Sequence, residues 1–511
     1  MDARHPNPFP EAPVNLAQNL ATTAARLPDK TAIKLDDAAL TYGQLAGMVA
    51  QAAGDLRASG LEAGDRVALI LPNVPAFPVL FYAVQQVGGV VVPLNPLLKH
   101  YELEYFFSDS DAKFAFVWPD FAAEAQQAGE ATGTKVFVST PVGPAPGDLT
   151  TGEPITAPVE RADDDNAVIL YTSGTTGKPK GAQLTHANLH LNAKTSAQDV
   201  ISIGEDDVIM GCLPLFHVFG LTCSLNAGII AGATLTLLPR FDPAKALEMV
   251  ERDKVTIFEG VPTMFGAMLH HPNAKDADMS SLVTCVSGGS AMPVELLRGF
   301  ESAFDCRVIE GYGLSETSPV VTFNMLDRPS KPGTIGRAIP LAEVRLVDSD
   351  GNDVPPGDGV GEIAIRGAYL MKGYWKKPEA TAEAIPDGWF RTGDLATVDG
   401  DGYFTIVDRK KDMIIRGGLN VYPREIEEVL YQHPAVAEAA VVAIPHAELG
   451  EEIGAGVALK AGESATPEEL QQFVKDRVAA YKYPRQVWLL AELPKGPTGK
   501  ILRREVKAPT A

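Results

Sequence analysis

The sequence predicts an α/β fold. A large N-terminal body of helix-covered, mostly parallel sheets carries a small β-barrel-like region and is followed by a small α+β C-terminal unit. Three observations carry this reading. The apolar runs RVALIL and VVVPL flank the helical stretch PAFPVLFYAVQQV, and unalternated strands around a helix are how a parallel sheet buried on both faces reads. The pattern recurs further along the chain. The 511 residues also exceed the roughly 250–300 at which one hydrophobic core stops growing, so more than one domain follows.

In chain order, Thr41 stands where it can cap a helix running to about Ser59, with Gly60 at the stop position. After the first strand–helix–strand unit, DAKFAFVW, KVFVS and NAVILY read as strands, as do ATLTLL, VTIFEG and SLVTCVSGG. Helices are expected over residues 243–254 and 294–304. From about Leu341, turn-rich segments separate short alternating runs in EVRLVDSDGNDVPPGDGVGEIAIRG, as in antiparallel strands or a small barrel. A third region begins near Lys411, with helices over 424–432 and 467–480 and strands around Val441 and 456–460. The division falls at 1–410 and 411–511. The apolar stretch 77–94 is interrupted by Gln85, Gln86 and two glycines, which suits a buried helix followed by a strand rather than a membrane span.

Acidic side chains number 65 against 44 basic ones, a net charge of −21. Such a surface repels nucleic acid and anionic lipid. An anionic ligand would need concentrated N–H, hydroxyl and Lys/Arg donors. Cys212, Cys223, Cys285 and Cys306 have no CxxC spacing, which makes a poor disulfide framework and fits a reducing compartment. The start MDARHPNPFPEAP lacks the apolar run of a signal peptide, so a cytoplasmic location is expected. His186 and His190 have helical spacing but no accompanying carboxylate motif, so no metal site is assigned there. His270-His271 reads as a polar helix end.

Donors concentrate in YTSGTTGKPKG (residues 171–181), directly after NAVILY. Four hydroxyls from Ser and Thr, three glycines and two lysines fall there. Small residues let backbone N–H groups approach a polyphosphate, while hydroxyls and lysines add donors and charge. It is not a Walker A loop: no glycine lies five residues before Gly177, and Pro179 takes the Ser/Thr position. Taken alone, it could equally be a surface turn.

Further motifs follow in order: PLFHVFG (214–220), SGGSAMP (287–293), EGYGLSET (310–317), GWFRTGD (388–394), DRKKDMIIRGGLNVYPREIE (408–427) and PTGKILRR (497–504). Together with YTSGTTGKPKG, this series resembles the adenylate-forming superfamily of acyl-CoA synthetases, peptide-synthetase adenylation domains and luciferases. The resemblance covers the chain from about residue 170 to its end. It implies an N-terminal adenylation domain, 1–410, and a mobile C-terminal lid, 411–511. It also implies ATP, Mg2+ and coenzyme A as co-substrates or cofactors, with a small carboxylic acid as partner; a homodimer is kept open as an assembly.

By the same resemblance, ATP or AMP is bound by Thr172, Ser173, Gly174, Thr175, Thr176, Gly177, Lys178, Gly289, Ser290, Ala291, Glu310, Gly311, Tyr312, Gly313, Ser315, Asp394, Arg409 and Lys500. Tyr312 would lie flat against adenine, where a ring supplies stacking area. Ser315, where relatives more often carry threonine, would donate to the α-phosphate. Glu316 would hold Mg2+ as a hard carboxylate ligand, with Thr176 as second ligand. Asp394 would grip the ribose hydroxyls, with Arg409 as a further contact. Lys500 would neutralise charge developing on the carboxylate and α-phosphate, and Lys411 would be the hinge. Gly417, Gly418 and Leu419 would form the face that meets coenzyme A once the lid has turned. His217, flanked by phenylalanines and otherwise readable as a core residue, would stand where acid, α-phosphate and thiol meet. The acyl pocket would take His217, Val218, Phe219, Val261, Gly288, Gly313 and Val320.

The implied reaction has two halves. The acid's carboxylate attacks the ATP α-phosphorus in line and pyrophosphate leaves; after the lid rotates, the thiol attacks the acyl carbonyl and AMP leaves. The candidate pocket segments, 217–225, 259–263, 287–289 and 311–320, are mostly small and apolar and hold no Arg or Lys, which disfavours a dicarboxylate. A medium- or long-chain fatty acid fits best, with an aryl or cinnamoyl acid as the alternative. A ligase loading a carrier-protein thiol, a luciferase and a non-enzymatic nucleotide-binding protein are the other readings; the last would require decay of Lys500, Glu316 or Asp394, and all three are present.

Overall fold

The computed structural model describes residues 15–144, 147–172, 178–446 and 448–509. Two large sheets form the body. The eight-stranded one has a parallel centre, ordered Asn166–Thr172, Val90–Pro93, Arg66–Ile70, Ala112–Val117 and Lys135–Thr140. The nine-stranded one runs parallel through Thr31–Leu35, Thr234–Leu237, Val208–Gly211, Ile257–Gly260, Thr284–Ser287 and Arg307–Gly313. One hydrophobic core takes residues from both.

The helix Ala76–Val87 is buried on every side, so its two glutamines need internal partners. Gln85 Nε2 donates to the Ala167 carbonyl at 2.7 Å, and Gln86 donates to the Ile155 carbonyl. The two residues that broke the apolar run thus tie this helix to its surroundings. No helix of the described residues is long and apolar enough to cross a membrane.

Local signals predicted several elements well. Thr41 caps the helix Tyr42–Ala58 through a reciprocal bond with Gln44, the capping-box arrangement. The helix Val294–Phe304 falls on its expected span. Two expectations are corrected. The region after Leu341 is a four-stranded antiparallel sheet, ordered Ala342–Val347, Gly361–Gly367, Phe390–Val398, Phe404–Arg409. Its two outer strands do not pair among the described residues, so the sheet is open rather than closed. The helix expected to reach residue 480 is Pro467–Lys475. Beyond it the chain turns back: the Gln471 side chain donates to the carbonyls of Pro484 and Arg485, and the Arg485 side chain donates to that of Ala480.

The C-terminal unit is a five-stranded sheet in which Gly450–Leu459 pairs with Ile414–Arg416, Val436–His446 and Gln486–Leu490. Helices Pro423–Tyr431 and Pro467–Lys475 pack on it over a core of its own.

Candidate active site

A cleft of about 1040 Å3 separates the body from the C-terminal unit. Its walls include Gly289, Ser290, Ala291, Glu310, Gly311, Tyr312, Gly313, Asp394, Arg409, Lys411 and Lys500. The residues from five separate sequence motifs therefore meet in one place.

The adenine-side motifs come from the C-terminal ends of two neighbouring parallel strands, Thr284–Ser287 and Arg307–Gly313, the usual location of ligand sites in such sheets. Glu310 Oε1 accepts from the Met292 N–H at 2.9 Å, which fixes the 288–292 turn against the strand. Burial pushes the Glu310 carboxyl up to about 7. At Gly313 a Cβ would lie 1.9 Å from the Pro319 carbonyl oxygen, so only glycine fits. Tyr312 Oη donates to Asp394 Oδ2 at 2.6 Å, and Arg409 Nε stands 3.0 Å from Asp394 Oδ1. Asp394 and Arg409 are cross-strand partners in the antiparallel sheet, so register alone brings this pair together.

Lys500 arrives from the C-terminal unit. The Gly499 carbonyl accepts from Thr263 Oγ1 at 2.7 Å, across the cleft. Burial, then the Arg409 guanidinium, lowers the Lys500 ammonium to about 8. Its charge reaches His217, which burial first and Lys500 second lower to about 4. His217 is therefore neutral near pH 7. Its Nδ1 accepts from the Phe219 N–H at 3.3 Å, leaving Nε2 as the donor. Asn73 positions this segment, donating to the Gly211 and Leu213 carbonyls at 2.9 and 2.8 Å and accepting from the Leu215 N–H at 2.9 Å.

On the acyl side, the Phe219 ring rests on Gly288, where a Cβ would meet it at 2.9 Å. Val261 lies against both Gly289 and Gly499. Val218 is buried, as is Val320, whose backbone is held by Asn192. Ser315 opens the short turn Ser315–Thr317, and Glu316 is buried within it. Tyr374 Oη donates to Glu316 Oε1 at 2.9 Å while its ring lies 5.1 Å from Lys180 Nζ. That single tyrosine joins Glu316 to the end of the 171–181 loop. Thr172 and Lys178 flank this loop; Ser173, Gly174, Thr175, Thr176 and Gly177 lie outside the described residues.

The sequence profile of AMP-binding enzymes matches residues 20–375, and that of the AMP-binding enzyme C-terminal domain matches 425–500. The chain belongs to the AMP-binding enzyme family. It is 38% identical to a long-chain-fatty-acid–CoA ligase of Bacillus subtilis (99% of this chain, 97% of that one). It is 41% identical to a feruloyl-CoA synthase of an Amycolatopsis species (94% and 96%). The structure of an anthranilate CoA ligase in complex with anthranoyl-AMP superposes with a TM-score of 0.90 at 29% identity, covering 99% and 98%. The protein is an ATP-dependent acyl-CoA synthetase.

Not every expected residue of this synthetase meets the cleft. Gly417 and Gly418, with φ of 55° and 84°, form the turn of a hairpin between Ile414–Arg416 and Leu419–Val421. Both glycines are exposed, and so is Leu419. Among the described residues, no group of three or more His, Cys, Asp or Glu side chains could hold a metal ion. His186 and His190 accordingly have structural partners: His186 Nδ1 accepts from the Leu16 N–H, and His190 meets Asn19 Oδ1.

Sequence reasoning missed three residues. Arg503 reads as part of a solvated tail, yet it bonds Asp408 at 3.0 Å and both oxygens of Glu427 at 2.9 and 2.8 Å, bridging the two sides of the hinge segment. Thr263 holds the Lys500 loop. Glu259, inside VTIFEG, is a fully buried acid. Thr263 and Glu259 bound the candidate pocket segment 259–263, so the sequence reading reached both without giving either a role of its own, while Arg503 bonds carboxylates far away in the chain.

Proposed function

We propose that Lys500, His217, Ser315, Glu316 and Asp394 serve acyl-adenylate formation, and that the acid is a monocarboxylic one with an apolar acyl group. The observation that carries this is half-buried Lys500 feeling the charges of Asp394 and Arg409 and acting on His217 while Gly417–Leu419 face solvent. That combination suits the first half-reaction and leaves the coenzyme A face for a second arrangement.

In this reading Lys500 holds its positive charge beside the attacking carboxylate and the α-phosphate, and neutral His217 donates from Nε2. Asp394, already oriented by Tyr312 and Arg409, accepts from the ribose hydroxyls. Gly289–Ala291 and Glu310–Gly313 enclose adenine, and Thr172 and Lys178 flank the triphosphate. The buried Glu316 carboxylate, with one oxygen taken by Tyr374, fits Mg2+, which is usually held by one or two carboxylates plus phosphate oxygens. Bound there, the ion would supply charge neutralisation at the phosphates. Lys411 divides the adenylation domain, 1–410, from the lid, 411–511. Four thiols without a disulfide suit a reducing cytoplasm.

Straight-chain acids suit the apolar wall of Val218, Val261 and Phe219. A flat aryl acid is the second reading, favoured by the Phe219 ring lying across Gly288 and by the 41% identity to a feruloyl-CoA synthase. A panel of acetate, octanoate, dodecanoate, cinnamate and malonate with ATP, Mg2+ and coenzyme A, followed by AMP release, tests both. Each buried methylene contributes roughly 0.8 kcal/mol, so kcat/KM is expected to rise from acetate towards about eight to twelve carbons. Malonate should be inert, since its second carboxylate finds no cation. Cinnamate exceeding octanoate by about tenfold, or about 1.4 kcal/mol, would transfer the assignment to aryl acids. A carrier-protein thiol accepted in place of coenzyme A would overturn the acceptor.

A further inference from the structure

None of the roles above uses the buried acid Glu259. Glu259 lies on Ile257–Gly260 and has no exposed surface. Ser224 Oγ, on the helical turn Gly220–Asn226, donates to Oε2. Oε1 has no hydrogen-bond partner among the described residues. Burial pushes the carboxyl up to about 7, opposed only by the Ser224 hydroxyl, so no cation offsets it.

Its place is defined by strand geometry. Alternation puts Glu259 and Val261 on one face, and Val261 stands against Gly499, the residue before Lys500. Parallel register pairs Glu259 with Val286, so Val286 and then Gly288 share that face, and Gly288 carries the Phe219 ring. Phe219 and Ser224 thus hold one helical segment over both strands. Along the strand Glu259 lies two residues, about 7 Å, before Val261, on the side away from Lys500.

A buried acceptor left unpaired is costly. Holding the helical turn in place would need only the oxygen that Ser224 already bonds. We propose that Glu259 is a specificity-determining residue whose Oε1 accepts a hydrogen bond from a hydroxyl at the far end of the acyl group. Hydroxylated acids are then preferred over their unsubstituted counterparts, because a site built to bond a hydroxyl rejects the analogue lacking it. This rests on reading residues 217–225 and 259–263 as the acyl site. Two chemistries present such a hydroxyl: the phenol of a hydroxycinnamic acid and the terminal hydroxyl of a medium-chain acid.

The test is kcat/KM for two matched pairs, cinnamate with 4-hydroxycinnamate and octanoate with 8-hydroxyoctanoate, in wild type, Glu259→Gln and Glu259→Leu. At least one pair should show a preference of about tenfold or more for the hydroxyl, and the pair that does identifies the source. In Glu259→Leu that preference should collapse while the unsubstituted acid is used as well or better; isosteric Glu259→Gln should keep part of it. Wild-type ratios near one in both pairs overturn the proposal. So does a ratio that survives Glu259→Leu, or an equal loss for both members of a pair in both variants, which marks a purely structural residue. AMP release with none of the four acids in wild type refutes the acyl-site reading itself.

Discussion

A primary ammonium taken out of water binds its proton less tightly, and Lys500 is the residue where this decides activity. Arg409 and Arg503 press its proton affinity down and Asp394 and Asp412 hold it up, leaving it near 8 beside neutral His217. The protonated form, needed beside the phosphate, prevails below that value. Adenylate formation, read as pyrophosphate exchange, should therefore fall as pH rises through about 8, and Lys500→Arg should carry this alkaline limb upward because guanidinium stays charged. Lys500→Ala should slow the same half-reaction by about a thousandfold or more while sparing thioester formation from preformed acyl-adenylate. Equal loss in both halves would remove Lys500 from the assigned role. Lys500, Asp394 and Tyr312 were legible because each sits in a local motif. Arg503 was not, since its carboxylate partners Asp408 and Glu427 lie 95 and 76 residues away. Glu259 fell inside a candidate pocket segment, but its burial was not legible, because that depends on which helical turn packs over the strand.

At the scale of elements, the proposed hinge is the segment between Phe404–Arg409 and Ile414–Arg416. Lys410 N–H is anchored to the Gly393 carbonyl at 2.8 Å and Asp412 N–H to that of Arg409 at 3.0 Å. Lys411 between them is exposed, and its N–H donates to no group among the described residues. Proline there forfeits no hydrogen bond but locks φ near −65°. Lys411→Pro is accordingly expected to leave pyrophosphate exchange near normal and to cut thioester output strongly, by about tenfold or more; full overall turnover would place the hinge elsewhere. Elements with local signals, such as the Thr41 cap or the unalternated strands, were readable from sequence. The helix ending at Lys475 was overextended because the periodic pattern carries no stop signal there, while the chain turns back so that Gln471 meets Pro484 and Arg485.

For the molecule as a whole, few polar contacts position the lid against the body, and Thr263 Oγ1 to the Gly499 carbonyl bears directly on Lys500. Thr263→Val removes a hydrogen bond with a net value of about 1 kcal/mol, so adenylate formation should drop about fivefold with the thioester half-reaction unchanged; a drop confined to the latter would contradict this docking. The Gly417-Gly418 hairpin adds a consequence of its own. It faces solvent on the same unit that carries Lys500, so in the proposed rotation presenting one surface to the body would withdraw the other. On those proposed roles the unit would act as an interlock, like an airlock whose inner door opens only after the outer one has shut. Coenzyme A would meet its face only after Lys500 had left, so thiol arriving early would gain nothing. When thiol is scarce, the acyl group would wait as a sealed adenylate, with the order of the two halves enforced by geometry rather than by the concentrations of the reactants.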